Sequence, residues 1–154
     1  PVNILMPMSW DQRNTFNGTL TYSLNNFGFT TTAYYNSGTP YSYDPIDTNP
    51  LATINLQPNN QYKPSNYTVD FTGYYNFKLF NKNRIKVNLS VYNVFDRLNE
   101  YNVNSQTGRA GTAIITEANI ASFYSNFNTI EDTYIIPTNY SAPRNYKIGI
   151  QYEF

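Results

Sequence analysis

The stretch Thr15-Phe16-Asn17-Gly18-Thr19-Leu20-Thr21-Tyr22-Ser23-Leu24 decides the fold class. On an extended chain Phe16, Gly18, Leu20, Tyr22 and Leu24 fall on one side. Thr15, Asn17, Thr19, Thr21 and Ser23 fall on the other. Strict alternation at this length has a period of two, which a strand shows and a helix face does not. Asn25-Asn26 then suits a tight turn, because Asn tolerates left-handed dihedrals. Beyond it Phe27, Phe29, Thr31, Ala33 and Tyr35 alternate with Gly28, Thr30, Thr32, Tyr34 and Asn36, so residues 14–24 and 27–36 read as a hairpin.

The same period returns three times. Tyr67, Val69, Phe71, Gly73, Tyr75 and Phe77 alternate with Thr68, Asp70, Thr72, Tyr74, Asn76 and Lys78, predicting a strand over 66–78. Ile85, Val87, Leu89, Val91 and Asn93 alternate with Lys86, Asn88, Ser90 and Tyr92, predicting one over 85–95. Tyr146, Ile148, Ile150, Tyr152 and Phe154 alternate with Lys147, Gly149, Gln151 and Glu153, predicting one over 145–154. Residues 37–65 break the pattern with Pro40, Pro45, Pro50, Pro58 and Pro64, which do not fit a sheet interior, and read as one long loop. Residues 96–144 read as a second. Within it, Ile120, Phe123, Tyr124 and Phe127 follow a possible cap at Thr116 with helical spacing, predicting a short helix.

Composition narrows the class. The chain has 154 residues, formal net charge zero, 13% charged residues and 18% aromatics. Charge is about half the roughly 25% of an ordinary soluble domain. Mean hydropathy is −0.54, and no stretch approaches the ~18 apolar residues of a membrane helix. Zero net charge argues against bulk attraction to nucleic acid. The absence of Cys and His removes disulfides, thiolate nucleophiles, imidazole bases and the common zinc ligands. A transmembrane β-barrel fits a chain this aromatic and this poor in charge, because only alternate residues of its strands meet lipid.

The two strand faces point the same way. The first-named faces carry no Asp, Glu, Lys or Arg, while the opposite faces hold Thr, Asn and Ser with Asp70, Lys78, Lys86, Lys147 and Glu153. If the strands run antiparallel, Phe16, Tyr35, Tyr67 and Tyr146 share one rim. Tyr22, Phe27, Phe77 and Tyr152 with Phe154 share the other. Aromatics at two heights around an aliphatic band are what membrane–water interfaces favour, so Phe16, Tyr22, Phe27, Tyr35, Tyr67 and Phe77 are expected to form lipid-facing rims. Connections alternate short, long, short, long (25–26, 37–65, 79–84, 96–144), as in barrels with short periplasmic turns and long external loops. Five strands do not close a barrel, and open edges in hydrocarbon cost several kcal/mol per unpaired group. The expected fold is therefore all-β, an antiparallel transmembrane β-barrel segment completed by further strands of the same or another chain. The opening Pro1-Val2-Asn3-Ile4-Leu5-Met6 lacks the pattern of an export signal. The chain is expected to be a processed or excised piece of something longer.

Four local motifs resemble one family. Trp10-Asp11-Gln12-Arg13 is similar to the W-D-Q-R that precedes a late strand in TonB-dependent outer-membrane receptors. Tyr35-Asn36-Ser37-Gly38-Thr39-Pro40-Tyr41 resembles their strand-end S-G-x-P-Y. Val91-Tyr92-Asn93-Val94-Phe95-Asp96 resembles the ending of their penultimate strand. Ala142-Pro143-Arg144-Asn145-Tyr146, leading to Gly149, Tyr152 and Phe154, resembles their final strand. Each motif alone is weak, but their order spans nearly the whole chain. The resemblance implies the last five strands of a barrel of about 22 strands with an N-terminal plug. It implies nutrient uptake energised through TonB, and a Gram-negative outer membrane with the C-terminus at the periplasmic side. Its partners would be outer-membrane lipid, the remaining strands and plug, TonB through the absent N-terminal region, and the barrel-assembly machinery. That machinery would read the final strand at Tyr146, Ile148, Ile150, Tyr152 and Phe154.

No catalytic constellation appears, so no enzyme, cofactor or metal is expected. Asp44, Asp47 and Asn49 lack the spacing and distal Glu of an EF-hand and read as turn residues. Tyr41, Tyr43 and Tyr62 are ligand candidates able to stack on a sugar; the plainer reading has these loop aromatics packing on each other. Asp70, Lys78 and Lys86 are either an interior charge network or residues lining water. Two rival functions fit the alternation: a scaffolding barrel without transport, and a soluble glycan-binding β-sandwich.

Overall fold

In the computed structural model, residues 5–45, 56–79, 83–124 and 127–154 are described. Two compact units share the chain. A sheet unit takes Thr15–Asn36, Tyr67–Leu98 and Ala142–Phe154; a loop unit takes Pro1–Asn14, Ser37–Asn66 and Asn99–Ser141.

The sheet holds five strands: β1 (Thr15–Leu24), β2 (Phe27–Asn36), β5 (Asn66–Leu79), β6 (Asn83–Tyr92) and β7 (Asn145–Glu153), in the spatial order β1-β2-β5-β6-β7. The pairs β1–β2, β5–β6 and β6–β7 are antiparallel. Between β2 and β5 the Asn76 amide donates to the Asn26 carbonyl at 2.7 Å, and Phe29 stacks on Phe71 at 6.0 Å. Numbers rise on one strand as they fall on the other, so this pair too is antiparallel. The fold is all-β and mostly antiparallel, with β1 and β7 as the outer strands of the sheet.

Register carries the alternation across the whole sheet. Phe16 faces Tyr35, Gly18 faces Ala33, Leu20 faces Thr31 and Tyr22 faces Phe29. Phe71 faces Val91, Tyr75 faces Val87 and Phe77 faces Ile85. Ile85 faces Tyr152, Val87 faces Ile150 and Leu89 faces Ile148. One side is thus apolar on every strand, since a slip of one residue anywhere would turn that strand over.

The fourth large strand is shorter than the expected 85–95. It stops at Tyr92 because Asn93 takes a left-handed φ of 54° and Asp96 another of 54°, with the Asp96 amide closing a turn onto the Asn93 carbonyl at 2.8 Å. Extended pairing does not continue through such dihedrals. Residues 80–82 of the expected turn lie outside the described residues.

The two long connections contain structure that proline counting missed. Pro40–Tyr41 (β3) pairs antiparallel with Gln61–Tyr62 (β4). The expected short helix is α1 (Glu117–Ser122), capped by Thr116. The Asn119 amide donates to Thr116 Oγ1 at 3.2 Å, and the Thr116 amide donates to Asn119 Oδ1 at 3.0 Å. Phe123 is already extended (φ −74°, ψ 122°), so the helix ends at Ser122; residues 125 and 126 of the expected spacing lie outside the described residues. A second capped turn, α2 (Ile130–Tyr134), follows.

Candidate functional site

The apolar side of the sheet is open. Ile148 and Ile150 are 73% and 74% exposed and Leu20 is 64% exposed. Among the described residues the buried aliphatic side chains are few, Ala110 at 2% and Pro40, and both lie outside the five-stranded sheet. A soluble domain buries such a face, because hydrophobic burial is its main driving force. Ring contacts gather along the turn side: Tyr22 lies 5.9 Å from Phe27 and 5.8 Å from Phe29, Tyr75 lies 4.5 Å from Phe77, and Tyr152 lies 6.2 Å from Phe154. Towards the other end of the strands Phe16 faces Tyr35, and Tyr146 faces Val91. Tyr67 stands near the start of β5, where Arg97 lies 4.3 Å over its ring. Between the two ends, Gly73 floors a shallow apolar depression of about 470 Å³ walled by Phe29, Phe71, Tyr75, Val87 and Leu89.

The opposite side is polar and mostly neutral. Thr21 and Thr30 hydroxyls meet at 3.1 Å, and Thr72 donates to Ser90 at 3.4 Å. Tyr74 covers Gly28, where a Cβ would collide with its ring, and Lys86 lies 4.8 Å above that same ring. Lys147 lies 5.1 Å over Tyr92. Asp70 stands apart from Lys78 and Lys86. It accepts the Asn93 amide at 2.9 Å, eight residues or roughly 27 Å along β5 from Lys78. The structure therefore does not bring the three charges together as one network.

No family model, no curated protein and no solved structure matches the chain. What its motifs do is nevertheless visible in their contacts. Asp11 accepts from Arg13 Nε at 3.2 Å and from the Tyr62 hydroxyl at 2.9 Å, while Gln12 Nε2 donates to the Ser37 carbonyl at 3.0 Å. The Asn14 amide donates to Ser37 Oγ at 3.0 Å, and the Ser37 amide returns to the Asn14 carbonyl at 2.8 Å. So 10–13 and 37–41 are two halves of one clasp. The second two motifs form another: Asn93 Nδ2 donates to the Ala142 carbonyl at 3.1 Å, and the Arg144 amide donates to Asp96 Oδ1 at 2.8 Å.

The loop tyrosines do not converge. Tyr41 faces Gln61 across the β3–β4 ladder and Tyr62 faces Pro40, so the two side chains leave on opposite sides. The Tyr41 hydroxyl sits against Gly108, whose φ of 68° suits glycine, and burial pushes that hydroxyl above its ordinary range, with Tyr43 adding to the shift. Tyr62 is engaged by Asp11, with the Arg13 guanidinium 5.3 Å over its ring. The Tyr43 amide is held by Asn60 Oδ1 at 2.7 Å. Asp44 donates its amide to the Ser105 carbonyl; Asp47 and Asn49 lie outside the described residues. No cluster of three or more Asp or Glu occurs among the described residues.

A buried charge escaped the sequence reading. Glu100, 8% exposed, accepts from the Ala110 amide at 2.6 Å and from Arg109 Nε at 2.9 Å and Nη2 at 2.7 Å. It ties 99–112 into an ordered loop. A single Glu in an irregular segment gives no periodic signal by which to find it.

Proposed function

We propose that the chain is the C-terminal part of a transmembrane β-barrel of the TonB-dependent receptor type, acting in nutrient uptake across a bacterial outer membrane. The observation that carries this reading is the uncharged face shared by all five strands, exposed on the outer strands β1 and β7 and half-buried to exposed on the three between them. In water such a face invites association; in hydrocarbon it is already solvated. Four of the five strand lengths agree: β1, β2 and β6 have 10 residues and β7 has 9, against about 9–11 for a tilted membrane-spanning strand, while β5 runs longer at 14. Aromatic side chains near both ends of β1, β2, β5 and β7 match interface girdles, while β6 carries none on this face.

In this reading the polar face, with its Thr, Asn and Ser, is one wall of a wet lumen through which solute passes. The long connections lie outside the cell and the Asn25-Asn26 turn in the periplasm. The outer edge of β7 offers backbone donors and acceptors to the next strand, and earlier to an edge of the assembly machinery. At least three more strands are needed for the smallest bacterial barrel, so transport belongs to the completed barrel and plug. A soluble sandwich requires a second sheet over the apolar face. The other sheet among the described residues is the two-residue β3–β4 ladder.

The experiment is native mass spectrometry of the detergent-extracted particle. The proposal expects additional strands and a plug, continuous with this chain or bound to it. A water-soluble monomer without detergent contradicts it.

A further inference from the structure

At the turn end of the polar face the register produces an unusual array. Lys78 of β5 faces Arg84 of β6, and Arg84 faces Glu153 of β7. One step along, Asn76 faces Lys86, and Lys86 faces Gln151. Two cations thus stand directly opposite each other, with Cβ atoms about 5 Å apart, an arrangement that opposes strand pairing. A third cation stands two residues along the same face. Among the described residues neither the Lys78 nor the Arg84 side chain makes a hydrogen bond, an ion pair or a ring contact; Glu153 accepts instead from Gln151 Nε2 at 3.4 Å. Lys86 is held over Tyr74.

The geometry points to an anion site here, built from Lys78 and Arg84 with Lys86 adding its charge from its place over Tyr74, that takes a phosphate group. Three cations less the Glu153 carboxylate leave a charge of two, which a phosphate dianion balances and a single carboxylate does not. The guanidinium fork suits two oxygens of a tetrahedral anion, and Lys78 adds a point charge from the neighbouring strand. The like-charge opposition is then relieved by the ligand. Placement follows from register alone, so the site stands whether or not the other face meets lipid. The phosphate belongs either to a dissolved solute or to a lipid headgroup.

The test is calorimetric titration of inorganic pyrophosphate into the intact protein in a non-ionic detergent. Binding is expected to weaken at least tenfold in Lys78→Gln/Arg84→Gln and less than twofold in Lys147→Gln, which lies on the same face at the far end. Lys78→Arg keeps the affinity within threefold. The double variant removes a repulsive pair, so its thermal unfolding is expected to match or exceed that of the unchanged protein. No binding to the intact protein, or an equal loss in Lys147→Gln, overturns the site. Phosphatidic acid added to the micelle displaces pyrophosphate if a headgroup is the natural source, and leaves it bound if the source is a dissolved phosphate.

Discussion

The Asn93 side chain donates to the Ala142 carbonyl at 3.1 Å across 49 residues of chain. The same amide nitrogen donates to the Arg97 carbonyl at 2.9 Å, and Asn93 Oδ1 accepts the Arg97 amide at 3.1 Å. Asn93 is 6% exposed. It therefore ends β6, shapes the following turn and fixes where the chain returns to begin β7. A buried amide with its polar atoms satisfied rigidifies its surroundings, and a truncated one leaves orphans.

Asn93→Ala leaves the Arg97 amide and two carbonyls without their partner and puts a Cβ residue less suited to positive φ at 54°. The expected loss is about 2–4 kcal/mol, read as a lower urea midpoint in detergent. Asn93→Gly keeps the dihedral and loses only the bonds, so it falls between the two. Equal stability of all three proteins contradicts this role.

The strands were legible because alternation is a property of neighbouring residues. Thr15–Leu24 and Phe27–Asn36 need nothing beyond their own pattern and two asparagines. The end of β6 was not legible, since Asn93 continues the alternation and its left-handed turn depends on Asp70, Arg97 and Ala142, all distant in sequence or in an irregular segment. The Thr116 cap could be read and the end of its helix could not. The tyrosine candidates show the same limit: three aromatics close in sequence were separated by a two-residue ladder that Pro40 and Pro64 disguised.

Gly38 is required by contact. A Cβ there would fall inside the Lys63 carbonyl, beside the bond from the Lys63 amide to Thr39 O at 3.0 Å. Gly38→Ala is expected to open the β3–β4 ladder, seen as fast hydrogen exchange at the Lys63 amide. Gly149→Ala, whose nearest neighbour is an Asn88 atom at 3.8 Å, is expected to shift stability by less than about 0.5 kcal/mol. Unchanged exchange at Lys63 in Gly38→Ala contradicts the contact.

Asp132 caps α2. The Thr129 amide and then its hydroxyl, at 3.0 and 2.8 Å, hold the Asp132 carboxyl below its ordinary value. A depressed carboxyl stabilises the folded turn at pH above the ordinary carboxylate value of about 3.9. That contribution is lost as pH falls through the lower folded value. Carboxyl NMR titration is expected to show this midpoint moving up in Thr129→Ala, partway only because the backbone donor remains. An unmoved midpoint contradicts the hydroxyl's part.

Ile150 stands mid-strand on the apolar face opposite Val87. In the proposed barrel Ile150→Arg puts a charge in hydrocarbon and is expected to cost about 2–4 kcal/mol in bilayer refolding. Gly149→Arg, aimed at the polar side beside Asn88, is expected to cost less. The reverse order contradicts the assignment of faces.

The central claim is that one face of this sheet meets lipid. The chain has no cysteine, so single-cysteine nitroxide labels along β7 read each position without background. In the reconstituted protein, labels at Tyr146, Ile148, Ile150 and Tyr152 are predicted to be accessible to oxygen and shielded from a water-soluble relaxant. Labels at Lys147, Gly149, Gln151 and Glu153 are predicted to show the opposite. Equal access of the relaxant to both sets, or an apolar set shielded in a detergent-free soluble protein, would contradict the account.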